Sequence, residues 1–159
     1  MKQSCFILFT LISILINSAP LNSAPSCHKE DDAIKTENNT PMANGKIKIT
    51  VNSQTFTATL LENNSATVFR GMLPLTINML ELNNNEKHYD FPNSLPTNSS
   101  NPGTIKNGDL MLYGSMTLVL FYKNFSTAYS YTKLGSVDDA TGLATALGSG
   151  NATVTFELK

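Results

Sequence analysis

Lys46-Ile47-Lys48-Ile49-Thr50-Val51, followed by Asn52-Ser53 and then by Gln54-Thr55-Phe56-Thr57-Ala58-Thr59-Leu60-Leu61, is the stretch that decides the fold. Its first six residues alternate polar and apolar without a break, which is the period of a strand with one face in a core and the other in water. Ile47, Ile49 and Val51 form the inward set. Asn52-Ser53 leaves room only for a tight turn, and the alternation resumes behind it with Phe56, Ala58 and Leu60 on one face. Two half-buried strands joined by two turn residues make a hairpin, so the domain opens as antiparallel β structure.

Working outward, the period changes after Glu62. Asn63 or Asn64 can cap a short helix in which Ala66, Phe69 and Leu73 share a stripe, with Gly71 and Pro74 ending it. Leu75 to Leu80 returns to strand, and Asn83-Asn84-Asn85 is a turn. Lys87 to Pro102 carries prolines at 92, 96 and 102 among polar residues and reads as a long irregular excursion. Asn107-Gly108 is the strongest hairpin signal in the chain and leads into Asp109–Tyr113, Gly114-Ser115 and Met116–Lys123. Leu118 to Tyr122 is apolar throughout, as suits a strand buried on both faces. Ala128 to Val137 reads as a further strand, with Tyr129 and Tyr131 on one face of it. Asp138 is placed to cap a short helix holding Leu143, Ala144, Ala146 and Leu147, the glycines of Gly148-Ser149-Gly150 stop that helix, and Ala152 to Leu158 closes the fold as a strand. The reading is mainly β: seven or eight strands and two short helices over residues 46–159. A closed barrel with helices plugging its ends is preferred over a sandwich, because closure removes the exposed strand edges.

Composition agrees and removes whole function classes. Asn, Ser and Thr make up 51 of the 159 residues, which favours strands joined by polar turns over a helical bundle. A net charge of -1 with eleven basic residues and no basic run lacks the electrostatic footprint of a nucleic-acid binder.

The N-terminus carries a different message. Lys2 precedes a twelve-residue apolar run, Cys5 to Ile16, followed by small and turn residues up to Ser26. That run is too short to span a bilayer and has the layout of a signal peptide, so residues 1–26 are expected to direct export and to be removed. The mature chain then keeps one cysteine, Cys27, at its start. A lone exported cysteine there is expected to carry a thioether-linked diacylglycerol, each acyl carbon adding about 0.8 kcal/mol of membrane affinity. Cys27-His28-Lys29-Glu30-Asp31-Asp32 resembles the pattern of cysteine, any residue, lysine and two acids that sends some bacterial lipoproteins to the outer cell surface. The expected location is therefore the outer membrane or cell surface, with a periplasmic or secreted protein as the alternative, and membrane contact through the anchor alone. Residues 27–45 hold few apolar positions and read as a flexible tether.

Several strings within 46–159 together resemble a bacterial family of cyclophilin-like domain proteins: Lys46 to Phe56, Leu73-Pro74-Leu75-Thr76, Leu95-Pro96-Thr97, Asn101-Pro102-Gly103-Thr104-Ile105, Gly108 to Tyr113 and Phe125 to Thr132. The resemblance implies a closed eight-stranded barrel with two helices. It does not imply prolyl isomerisation. True cyclophilins carry a Phe-His-Arg strand motif and a later Gln-Gly-Gly-Asp-Phe string, and neither occurs here. The only arginine, Arg70, falls near the end of a helix.

No pattern calls for a metal or a cofactor. His88 is the sole histidine of the folded part and reads as a solvent-exposed loop residue, since nothing in the spacing of Glu86, His88 and Asp90 forces them to converge on a metal. No Gly-x-Ser-x-Gly string marks a nucleophile. Asp138-Asp139 reads as a helix cap. Gly148-Ser149-Gly150 follows a helix, whereas a phosphate cradle precedes one. What remains is an aromatic concentration in the second half. A groove near Arg70, Met72, Tyr113, Phe121, Phe125, Tyr129 and Tyr131 is the expected binding site, for a peptide, a protein or a small ligand of the envelope. The leading expectation is a binding module. The alternative is a peptidyl-prolyl isomerase with Arg70 as its electrostatic residue and Met72, Phe121 and Phe125 as its proline pocket.

Overall fold

The computed structural model describes residues 40–159; the expected signal peptide, Cys27 and most of the expected tether lie outside them. Ten strands and two helices follow in order: β1 (Pro41–Val51), β2 (Gln54–Leu61), α1 (Asn64–Gly71), β3 (Leu75–Leu82), β4 (Glu86–Asp90), β5 (Thr104–Ile105), β6 (Asp109–Tyr113), β7 (Thr117–Phe121), β8 (Phe125–Ser126), β9 (Thr132–Val137), α2 (Leu143–Leu147) and β10 (Ala152–Leu158). Eight of the strands close a barrel in the order β1-β10-β3-β4-β7-β6-β9-β2, and every pairing is antiparallel. The remaining two, β5 and β8, form a separate two-stranded sheet.

The alternation that opens the chain sets the barrel interior. Ile47, Ile49 and Val51 are fully buried and face the Phe56, Ala58 and Leu60 set across the β1–β2 hairpin, whose turn is Asn52-Ser53 with Asn52 at φ 54°. Ile77, Met79, Leu110, Leu112, Leu118, Leu120, Leu134, Val154 and Phe156 complete the wall of the same core. Helix α1 packs into it through Ala66 and Phe69, the latter meeting Phe156 edge-on at 5.6 Å between ring centroids. Asn63 caps that helix: its side chain accepts from the Ala66 amide at 2.9 Å and donates to the Lys133 carbonyl of β9 at 3.0 Å. Leu143, Ala146 and Leu147 of α2 also pack on this core.

Four expectations need correction. The tether does not run to Gly45, because β1 begins at Pro41, opposite Leu61, and its register shifts before Lys46. Gly45 permits this bulge: a Cβ there would stand 2.7 Å from the Met42 Cβ and 2.9 Å from the Leu60 carbonyl oxygen. Lys87 to Asp90 is no loop. It belongs to β4, a barrel strand between β3 and β7 whose inward residues are the fully buried Lys87 and the core-packed Tyr89, an unusual inward pair that masks the strand period. Asn107-Gly108 turns the chain into β6 but joins no hairpin, since β5 pairs with β8 and β6 with β7. Asp138 does not cap α2, whose N-cap is Gly142 at φ 81°; its carboxylate instead takes Lys46 at 2.7 Å and the Thr59 hydroxyl.

Leu118 to Tyr122 is buried on both sides, and this feature creates the second layer. Leu118, Leu120 and Tyr122 face the barrel interior. Val119 and Phe121 face outward into a separate cluster with Ile105, Met111 and Tyr131, against which Phe125 packs.

Candidate functional site

Side chains alternate along a strand, so register places three outer rows next to one another. Glu86, His88 and Asp90 project from β4; opposite them on β7 stand Phe121, Val119 and Thr117; Met111 and Tyr113 of β6 pair with Val119 and Thr117 in turn. The segment 125–131 covers part of this face. Phe125 is tied down by the β5–β8 pairing, and Tyr131 by two backbone hydrogen bonds with Ser100, at 2.9 and 3.0 Å. Between wall and cover lies a cavity of about 490 Å³. Leu82 at the end of β3 and Asn83 and Asn85 of the β3–β4 turn close one end, Glu86, His88 and Asp90 form one side, and Tyr113, Phe125, Tyr129 and Tyr131 form the other. That is the size and the mixed aromatic and polar lining of a small-ligand site.

The rings are mutually supported. Tyr113 lies 6.1 Å from Tyr129 and 5.6 Å from Tyr131 between centroids, and Phe121 lies 5.6 Å from Phe125 and 5.5 Å from Tyr131. Phe121 is fully buried and acts as the packed base on which Phe125 and Tyr131 rest, while Tyr113 and Tyr129 stay 46% and 63% exposed and present their rings outward. On the polar side, Asp90 accepts from the Thr117 hydroxyl at 2.6 Å. Burial pushes the Glu86 carboxyl above its ordinary value, and the nearby Glu81 charge adds to the shift. Burial likewise raises the Tyr131 phenol, with Glu86 contributing.

The structure thus gathers five of the seven expected site residues: Tyr113, Phe125, Tyr129 and Tyr131 at the cavity, and Phe121 beneath them. Tyr129 and Tyr131 reach it from irregular chain rather than from a strand, because β9 starts only at Thr132. Arg70 and Met72 are not part of the group. Arg70 sits in the last turn of α1, and Met72 packs against the barrel interior, so neither shares a pocket with Phe121 and Phe125 as the isomerase arrangement requires.

Sequence reasoning missed Asn85, Glu86, His88 and Asp90 as wall residues. His88 is half-buried on a strand. The available signal was the alternation of Glu86, His88 and Asp90 with Lys87 and Tyr89, obscured because neither inward residue is an aliphatic one. As for chemistry, a nucleophilic catalyst needs a base oriented by a third group, and the buried His88 Nδ1 has no such partner among the described residues. No group of three His, Cys, Asp or Glu among the described residues converges to hold a metal. The arrangement is suited to holding a ligand.

A second polar cluster lies at the barrel end beside α2. The fully buried Lys87 ammonium pairs with Glu81 and donates to the Gly148 and Gly150 carbonyls, while the Tyr122 hydroxyl donates to Glu81 at 2.8 Å. It ties the Gly148–Gly150 turn to β3 and β4 and is structural.

No curated protein and no solved structure matches the chain. A sequence model of the cyclophilin-like family, however, matches residues 49–157, which run from the first hairpin to the last strand of the closed barrel. With well over half of its length so matched, the chain belongs to the cyclophilin-like family.

Proposed function

We propose that this cyclophilin-like barrel is an exported binding module of the cell envelope, held there by a lipidated Cys27 and a tether and taking its ligand in the outer cavity. The observation that carries the reading is the cavity itself, about 490 Å³ walled by exposed tyrosines on one side and by β4 polar groups on the other. Export and anchoring are supported by the short apolar run from Cys5 to Ile16 and by Cys27 as the single cysteine behind it.

Two measurements test the two halves. Expressed in a bacterium with radiolabelled palmitate, the chain is expected to carry label and sediment with membranes, while Cys27→Ser loses the label and becomes soluble; label retained by the variant overturns the anchor. The chain contains no Trp, so Tyr emission reports directly on a cavity that holds three of its five tyrosines. Soluble peptidoglycan fragments and envelope peptides are expected to change that emission saturably in the wild type and not in Tyr129→Ala. A response that survives in the variant places the ligand elsewhere.

A further inference from the structure

What the cavity would hold can be read from what its walls lack, an inference that rests on the reading of this cavity as the ligand seat. Glu86 is 9% exposed and lines the cavity. None of the four ion pairs among the described residues includes it, and only burial and the Glu81 charge act on its carboxyl, with no hydrogen bond among them. A carboxylate so buried is costly unless a positive or donating group meets it. The Glu86 oxygens are not among the fully enclosed polar atoms without a partner, so they are open to the cavity that the residue lines. The unmet demand on this side of the cavity is that of the Glu86 carboxylate for a hydrogen-bond donor.

Charge points the same way. Glu86 and Asp90 line the cavity, and no lysine or arginine does. Lys87, next in sequence, turns its ammonium away to Glu81 and the two glycine carbonyls. Opposite the acceptors stand Tyr113, Tyr129 and Tyr131, whose ring faces attract a cation and whose carbon surfaces suit an aliphatic chain.

We propose that the cavity receives a primary alkylammonium group, its N–H donors directed to the Glu86 carboxylate and its methylenes laid against the tyrosine rings. A primary ammonium has three donors to offer. A quaternary ammonium keeps the charge and offers none, and an alkane of the same length offers neither. A lysine side chain in an extended peptide and a free diamine share this chemistry, and the test separates them.

The experiment titrates the full chain, labelled with nitrogen-15, with Nα-acetyl-lysine methylamide, its norleucine and trimethyl-lysine counterparts, and cadaverine, reading the backbone amides of Glu86, His88 and Tyr129. The lysine compound is expected to shift these signals saturably, with the norleucine compound at least tenfold weaker and the trimethyl compound between them. Glu86→Gln, which removes the charge at nearly constant shape, is expected to weaken the lysine compound tenfold or more with its spectrum otherwise unchanged. Tyr129→Ala, at an exposed position, is expected to weaken it as well. Cadaverine binding as tightly as the lysine compound assigns the site to free amines, and weaker binding assigns it to peptide lysine. Equal binding of norleucine, or an unweakened Glu86→Gln, overturns the proposal. A shift of the same amides by N,N′-diacetylchitobiose but not by any amine overturns the ammonium while leaving the cavity as the ligand seat. Silence to every probe overturns the proposal and counts against the seat.

Discussion

Replacing Lys87 by Met tests whether the barrel depends on its buried cation. The Lys87 side chain is 0% exposed, and its ammonium is met by the Glu81 carboxylate and by the carbonyls of Gly148 and Gly150. Met preserves most of the volume and removes every ammonium donor, leaving the Glu81 charge without its counter-ion and two carbonyls unmet. Breaking a buried pair from one side costs about 3–5 kcal/mol. Glu81 keeps 17% of its side chain exposed and still accepts from Tyr122, so its orphaned charge is partly rehydrated and the lower end, about 3 kcal/mol, applies. Against a typical stability of about 5–15 kcal/mol that is a large fraction. Urea unfolding at pH 7, followed by circular dichroism, is expected to show a midpoint lowered by roughly 1–2 M with an unchanged slope. The double variant Lys87→Met with Glu81→Gln removes the orphaned charge and is expected to recover part of the loss. The acid limb gives a second readout. Burial alone would raise the Glu81 carboxyl, but its hydrogen bonds with Lys87 and Tyr122, the Lys87 charge and the Asn84 amide together hold it below the ordinary 4.5. The unfolded chain therefore takes up this proton at higher pH than the folded one, so the contribution is complete above about pH 4.5 and is lost as pH falls through the lower folded value. Wild type is expected to weaken more steeply than the variant below that pH. A Lys87→Met midpoint within 0.3 M of wild type, on the order of the uncertainty in such extrapolations, refutes the reasoning.

Further outcomes follow from other contacts. Gly135→Ala is expected to lower stability by about 1–3 kcal/mol, because a Cβ there meets the Thr59 carbonyl and stands 2.9 Å from the Leu60 Cα across the β2–β9 pairing, and the urea midpoint reads it. Asn63→Ala is expected to cost about 2 kcal/mol, roughly one for the cap and one for the bond to Lys133, which thermal melting measures. Glu86 acts with the opposite sign to Glu81: its folded carboxyl lies above 4.5, so its effect is most favourable below that pH and fades as pH rises through the folded value. Glu86→Gln is expected to flatten this decline, and parallel pH–stability curves for the two proteins would falsify it. Arg70→Ala leaves the cavity untouched, so ligand affinity there is expected to stay within about twofold, as for independent sites, while a large loss would bring α1 back into the binding site.

How much of this was legible follows from which side chains face which core. β1, β2 and β10 could be read because apolar residues mark their inward faces, so period two survives in the sequence as a contrast with Thr, Lys or Glu. β4 inverts that contrast. Its inward Lys87 is tolerable only because Glu81, six residues earlier, and two carbonyls more than sixty residues later meet it, a compensation visible only after folding. With β4 misread as loop, Glu86, His88 and Asp90 lost their common face, and half of the cavity wall went with them. The aromatic half remained visible as composition alone. Tyr129 and Tyr131 stand together because the Ser100 bridge and the β5–β8 pairing hold their segment, and that long-range pairing also explains why the local hairpin signal at Asn107-Gly108 led nowhere. Arg70 drew attention by being the only arginine, which is a fact about rarity and not about position. The informative signal was the unbroken apolar run from Leu118 to Tyr122. A closed barrel can bury only one face of a strand inside itself, so a strand apolar on both faces requires a second layer outside. That layer is β5, β8 and the segment up to Tyr131, and it covers Val119 and Phe121 while the rows of β4 and β6 extend beyond it. The cavity is the space left where a partial cover meets a full wall, which is why the candidate site lies on the barrel's outer face.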